Sequence, residues 1–165
     1  MYVRKVYTLV FLREDSRLLL GLKKRGFGIN KWNGFGGKLE PEETVIDAAA
    51  RELKEECCIN AKASDLKHIG NLEFTFEGES TLMDVKVFTS KIFNGEPQET
   101  DEMRPRWFNI DALPFEEMWP DDRIWFPYML NSKLFFAQFH YKGFDSILKY
   151  NIVELHSVQD LYKNH

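Results

Sequence analysis

Cysteine is scarce in this chain, and its placement argues against two classes of protein. Cys57 and Cys58 are the two cysteines among 165 residues, and they are neighbours. Adjacent cysteines bridge only with strain, so they read as reduced thiols of a cytosolic protein rather than as staples of a secreted one. Two thiols alone also make a poor zinc site. No apolar run approaches the ~20 residues that cross a bilayer. Met1-Tyr-Val-Arg-Lys5 leads straight into a short β-like run and does not read as a signal peptide. An excess of positive charge is missing too. A net charge of −4 argues against stable binding to a nucleic-acid duplex, which needs a basic face. A small phosphate ligand stays open, because its charge can be met locally. No repeat, linker or low-complexity tract divides the chain, so residues 1–165 read as one domain.

What is present begins with β-type runs. Val6–Leu12 and Arg17–Leu22 are parted by the polar turn Arg13-Glu-Asp-Ser16 and predict a hairpin. Residues 23–38 are rich in glycine, basic residues and aromatics, a loop by composition. Thr44–Cys57 predicts a helix. Thr44 followed by Asp47 resembles a capping-box start, and Ile46, Ala49, Ala50, Leu53 and Cys57 form the apolar stripe. Strands are expected near Lys67–Phe76, Leu82–Phe93 and Arg104–Ile110. Short helices are expected over Ala112–Met118 and Asp122–Leu130, and closing strands over Leu134–Tyr141 and Ile147–Glu154. Strands interleaved with a few helices predict an α/β (α+β) sandwich, a mixed sheet covered by helices on both faces.

The chemistry centres on Glu52, Glu55 and Glu56. At about 100° per residue they fall within roughly 100° of arc on the helix. Carboxylates crowded in this way repel one another, and a hard divalent cation with oxygen ligands is the simplest reason to gather them. Glu52 and Glu56, one turn apart, are the best ligand pair. Glu55 is either a third ligand or the group that orients an attacking water. Arg51 is placed to hold or neutralise one of the acids. The glycine-rich loop Asn33-Gly-Phe-Gly-Gly37 lies just upstream, and acids beside such a loop suggest chemistry on phosphates. The loop is not a Walker A motif, because Gly37-Lys38 is followed by Leu39 rather than Ser or Thr. Lys23 follows a strand at the mouth of the loop and suits phosphate oxygens, whereas Lys24 and Arg25 read as surface cations. Glu102 is either a solvated loop acid or a further acid of the same site.

A second constellation is Trp119-Pro120-Asp121-Asp122. Two adjacent acids buried in one pocket cannot both ionise cheaply. One keeps its proton and donates while the other accepts, which suits the hydrogen-bonding edge of a purine. Trp119 would stack on the ring, with Phe27, Phe74, Met83 and Met103 as walls. The alternative is a helix start with the acids as cap and first-turn residues. For Phe74 and Met83 the alternative is ordinary core packing.

The acid run resembles the Nudix box: Gly, five residues, Glu, seven residues, then Arg-Glu-apolar-any-Glu-Glu-any-Gly-apolar. Gly37, Glu43, Arg51, Glu52, Leu53, Glu55, Glu56 and Ile59 fit it, and Cys58 stands where the family has glycine. At odds of about one in fifteen per polar or glycine match, the six such matches together fall below roughly one in a million per window. The segments Tyr7–Val10, Leu22–Gly28, Lys31–Lys38, Leu82–Val85, Asp101–Pro105, Trp107-Phe108, Met118–Asp122 and Trp125–Pro127 resemble the branch of the family that acts on oxidised purine nucleoside triphosphates. That resemblance implies a Nudix fold and hydrolysis to a monophosphate and pyrophosphate. It implies Mg²⁺, with Mn²⁺ as the alternative, held by Glu52, Glu55, Glu56, Glu102 and the Gly36 backbone oxygen. It further implies a nucleotide pocket from Thr8, Lys23, Phe27, Asn33, Gly34, Phe35, Gly36, Gly37, Phe74, Met83, Met103 and Trp119 through Asp122. The partner expected is a small nucleotide, without stable nucleic-acid or membrane binding, and the chain is expected to be a cytoplasmic monomer, with a nuclear or mitochondrial fraction as the alternative. The rivals are a Nudix enzyme of another nucleoside diphosphate derivative and a non-catalytic nucleotide- or RNA-binding module.

Overall fold

The computed structural model describes residues 1–163. Strand β1 (Val3–Glu14) turns through Asp15, whose φ is 52°, into β2 (Arg17–Lys23). The hairpin is short: antiparallel pairing covers only Arg13 with Leu18 and Glu14 with Arg17. Beyond it the strands part. β1 runs parallel to β5 (Thr81–Ser90) over Val3 to Leu12, while β2 pairs with the two-residue strand β3 (Trp32–Asn33) and with β6 (Met103–Asn109). The rest of the sheet is β4 (Lys67–Phe76), antiparallel to β5 and parallel to β7 (Leu134–Lys142), which closes against β8 (Ser146–Leu155). The order β3-β2-β1-β5-β4-β7-β8, with β6 on β2, makes one mixed sheet.

Each face of that sheet carries a helix, because alternate strand residues point to opposite sides. Val10 and Leu12 of β1 face α1 (Val45–Cys57) and pack with Leu19, Ala49, Leu53 and Cys57. Phe11 points the other way and joins Leu72, Val85, Phe135 and Phe139 under α2 (Asp122–Leu130), whose Trp125 and Phe126 are fully buried. The two cores therefore share β1 as a wall. Among the described residues no helix is long and apolar enough to cross a membrane.

Two expectations are corrected. Residues 23–38 are not a plain loop: they contain β3, and Phe35 bridges Val10 while Lys38 bridges Tyr7, so the glycine segment is laid along β1. Ala112–Met118 is not a helix. A single 3₁₀ turn forms at Phe115–Glu117, started by Pro114, which has no N–H to extend a helix backwards.

Candidate active site

The glycine segment explains how the acids are brought to β1. Val10 N–H donates to the Phe35 carbonyl at 2.7 Å, Phe35 N–H returns to Val10 O at 3.0 Å, and Thr8 N–H donates to Gly37 O at 2.9 Å. The approach excludes side chains. A Cβ on Gly36 would lie 1.8 Å from the Thr8 carbonyl oxygen, and one on Gly37 would lie 2.6 Å from Glu52 Oε1. Gly37 thus leaves room for a carboxylate. Gly36 does more: its N–H donates to Glu56 Oε1 at 2.9 Å.

Helix α1 presents the acids from the other side. Its start is capped by Thr44, whose hydroxyl accepts the Asp47 N–H at 3.2 Å. Its end lies directly after Glu56. Cys58 takes a left-handed conformation, φ 67° and ψ 17°, and its N–H closes on Lys54 O at 2.9 Å. The carbonyls of the last turn find partners in the following segment, Glu56 O in the Thr100 hydroxyl at 2.8 Å and Cys57 O in Gln98 N–H at 2.9 Å. Cys57 packs beneath, its thiol pushed up to about 12 by burial.

Four cations of the chain divide the acids between them. Arg51 makes a two-pronged bond to Glu43, Nε to Oε2 at 2.7 Å and a terminal nitrogen to Oε1 at 2.9 Å. Its other terminal nitrogen reaches Glu52 and Glu55, each at 3.1 Å. Glu43 is held down to about 2, chiefly by this guanidinium. Lys23 Nζ lies 3.1 Å from Glu102 Oε2 and 3.9 Å from Glu56 Oε2, Arg25 Nε holds Glu102 Oε1 at 2.7 Å, and Lys24 holds Glu99 at 2.6 Å. Lys24 and Arg25 are surface cations, as expected, and are tied to acids of the segment before β6.

Glu56 is the most constrained acid. It is 4% exposed, and burial pushes its carboxyl up to about 7 against the pull of the Gly36 N–H and the Lys23 charge. Glu52 is also raised, by burial first, with Arg51 opposing. Among the described residues no three His, Cys, Asp or Glu side chains converge as a metal cluster: Glu52 and Glu55 turn to Arg51, and Glu102 turns to Lys23 and Arg25. The donor set still suits a hard divalent cation. It offers carboxylate oxygens on one helix, one of them buried and carrying a proton affinity that a cation would replace.

Glu56 also lines a cleft that runs from α1 to the start of α2. Thr8, Lys23, Asn33, Gly34, Gly36, Gly37, Phe27, Phe74, Met83, Met103 and Trp119 wall it, and Asp121 and Asp122 stand at its α2 end. Phe74 is both wall and packing, stacked on Phe139 at 5.7 Å. The rings of Phe27 and Trp119 lie 5.2 Å apart, and Lys31 Nζ sits 5.2 Å from the Trp119 ring centre. Glu52, Glu55, Glu102 and Pro120 lie outside the cleft wall. Phe35, also expected in the nucleotide pocket, has its side chain outside the cleft wall as well. It is fully buried on the α1 face, because alternate residues of the extended segment point oppositely, and it serves the site through its backbone bonds to Val10.

Both acids at the far end are 2% exposed. Asp121 takes hydrogen bonds from Trp125 Nε1 at 2.9 Å and from the Tyr141 hydroxyl. Asp122 Oδ2 is buried without a protein partner, and so is the Thr8 hydroxyl. Burial and the neighbouring Asp121 charge push Asp122 well above the ordinary carboxylate range. Sequence reasoning had no signal for Tyr141 or Phe76, which read as the ends of strands. Only the parallel register of β4 on β7, with Phe76 opposite Tyr141, brings Phe76 to the cleft wall and the Tyr141 hydroxyl to Asp121 behind it.

A model of the NUDIX domain matches residues 1–129, and the chain belongs to this family. It is 49% identical over 161 residues to the oxidized purine nucleoside triphosphate hydrolase of Danio rerio, covering 98% of this chain and 100% of that one. Identity to the mouse protein of the same name is 45% over 157 residues, covering 95% and 99%. The crystal structure of the mutator MutT protein from Bacillus halodurans shares the fold, with a TM-score of 0.79 at 24% identity over 90% of this chain and 97% of that one.

Proposed function

We propose that this chain hydrolyses oxidised purine nucleoside triphosphates, 8-oxo-dGTP and 2-oxo-dATP among them, to the monophosphate and pyrophosphate with Mg²⁺. The reaction keeps damaged precursors out of DNA. The observation that carries this is one cleft with two kinds of acid. Glu56 stands at the end where α1 gathers carboxylates, and the buried pair Asp121 and Asp122 stands at the end beside Trp119. The near-full-length likeness to two hydrolases of that name supports the substrate class.

A divalent cation held by Glu52 and Glu56, with the Gly36 carbonyl and Glu102 as further ligands, would neutralise phosphate oxygens and stabilise charge in the transition state. Lys23, beside Glu56 and Glu102, would meet phosphate charge. Glu55 is the most exposed of the four box acids and is assigned the attacking water. Trp119 and Phe27 hold the base by stacking, which favours any purine. The acid pair then selects the edge that offers one acceptor and one donor. The same reading makes the chain a single catalytic domain, a monomer of the cytoplasm with a nuclear or mitochondrial fraction as the alternative. Its partner is a small nucleotide, in keeping with a net charge of −4.

Steady-state kinetics on normal and modified triphosphates, with Mg²⁺ and with a chelator, test this. Turnover is expected only with the metal, with kcat/KM highest for oxidised purines. Equal rates on dGTP and 8-oxo-dGTP would remove the substrate assignment, and full activity in chelator would remove the metal.

A further inference from the structure

Tyr141 reaches Asp121 from β7 and has no part in the roles assigned above. Its hydroxyl does two things at once. It accepts the Asp121 backbone N–H at 3.0 Å, and it is hydrogen-bonded to Asp121 Oδ1. A hydroxyl has one proton, and since this one already accepts the N–H, that proton is free to point at Oδ1. The indole N–H of Trp125, a donor only, occupies Oδ2 at 2.9 Å. Both oxygens of Asp121 therefore face donors. A proton placed on either would displace one of those hydrogen bonds. Asp122 is in the opposite condition, buried beside a charge with Oδ2 unpartnered.

We propose that Tyr141 is a positioning residue for base recognition: its hydroxyl keeps Asp121 ionised as the acceptor and thereby leaves the proton, and the donor role, to Asp122. The proposal rests on the reading of this cleft as a modified-purine site. It goes beyond that reading in stating which acid does what and which residue decides it. Burial raises both carboxyls; at Asp121 the hydrogen bonds from Tyr141 and Trp125 oppose it, whereas at Asp122 the Asp121 charge adds to it and pushes that carboxyl well above the ordinary range. Burial and the same charge push the Tyr141 phenol far above its ordinary value, so it stays a donor.

Other charged or ionisable groups stand on other elements. Tyr7, Lys23 and Glu56 line the same cleft, and Lys31 lies over the Trp119 ring. None of them is hydrogen-bonded to Asp121. The Tyr141 ring is held independently of its hydroxyl, stacked on Phe76 at 5.6 Å and edge-on to Trp119 at 5.8 Å. Tyr141→Phe therefore removes the hydroxyl and keeps the packing.

The test is a ¹³C-carboxyl NMR titration of the full chain, free of substrate and metal, as the parent and as Tyr141→Phe. At pH 7 the parent is expected to show Asp121 as carboxylate and Asp122 as carboxylic acid. In the variant the midpoint at which Asp121 gains a proton should rise by about one pH unit, the size of one lost hydrogen bond to a charged group. The acidic limb of kcat/KM for 8-oxo-dGTP, measured with Mg²⁺, should move up in pH by a similar amount, with the loss falling on KM more than on kcat. A parent in which Asp121 holds the proton overturns the proposal. So does a folded variant with an unmoved midpoint. If the variant does not fold, the parent spectrum alone decides. A parent that does not prefer 8-oxo-dGTP to dGTP refutes the functional reading instead, and the carboxyl assignment still stands or falls by the spectrum.

Discussion

The two ends of the cleft hold acids in opposite ways. At the α1 end the carboxylates are matched by charge. Arg51 binds Glu43, Glu52 and Glu55, and Lys23 and Arg25 draw in Glu102. At the α2 end the partners of Asp121 are neutral, an indole and a phenol. A site matched by mobile cations can exchange them for a metal and a triphosphate. A site of buried acids with neutral partners adjusts its charge by keeping a proton, and so becomes a reader of donors and acceptors. Glu56 stands between the two regimes: it is buried like the aspartates but faces Lys23.

The largest expected effect separates the ends by turnover. Glu56→Gln should lower kcat by at least about a hundredfold, because the amide accepts the Gly36 N–H but brings no charge to the metal. Pyrophosphate release at saturating nucleotide measures it, and near-normal turnover would take Glu56 out of the reaction. The same variant should change metal-free stability in a pH-dependent way. The Glu56 carboxyl is raised from 4.5 to about 7 in the folded chain. Its contribution is full below 4.5 and is lost as pH rises through about 7, because the folded state binds the proton more tightly. Glu56→Gln should therefore gain on the parent by on the order of 2 kcal/mol at pH 8 and by little at pH 4. Denaturant melts at the two pH values check this, and an equal difference at both would sink it.

At the other end the effect should fall on KM. Asp121→Ala or Asp122→Ala is expected to raise KM for 8-oxo-dGTP by tenfold or more, a loss above about 1.4 kcal/mol. Asp121→Asn should be the more harmful of the two amide changes, since an amide replaces a protonated acid's donor but not a carboxylate. If both alanine variants bind like the parent, the acids are helix-start residues and the contrast between the two ends disappears. The smallest effect lies outside the chemistry. Cys58→Gly should stabilise the fold by roughly 0.5–1 kcal/mol, since φ 67° costs cysteine more than glycine. Thermal melts of the two chains would show it, and kcat should stay within a few-fold.

How much could be read without coordinates depended on how far apart in the chain the partners lie. β4 and α2 fall where the patterns put them, at Lys67–Phe76 and Asp122–Leu130, and α1 differs only in that Thr44 is its cap. The expected hairpin forms at its turn, but β1 spends most of its length on β5, some 78 residues on, which no local pattern announces. The glycine segment read as loop because its partner, β1, lies outside it. The α1-facing side chain of Phe35 was not legible for the same reason, since the direction of a side chain in an extended segment depends on the strand that segment joins.

The sequence by itself determined the α1 end. Spacings of three and four residues place Glu52, Glu55 and Glu56 on one helical face, and Gly37 and Arg51 stand at set intervals from them. Backbone geometry turns such intervals into positions without help from the rest of the chain. Only the tertiary structure decided the α2 end. Asp121 and Asp122 are two acids at a helix start until β4 and β7 pair in parallel, bury them, and bring the Tyr141 hydroxyl to Asp121. Burial is a property of the packed whole, and a carboxyl's proton depends on burial and on which donors reach it.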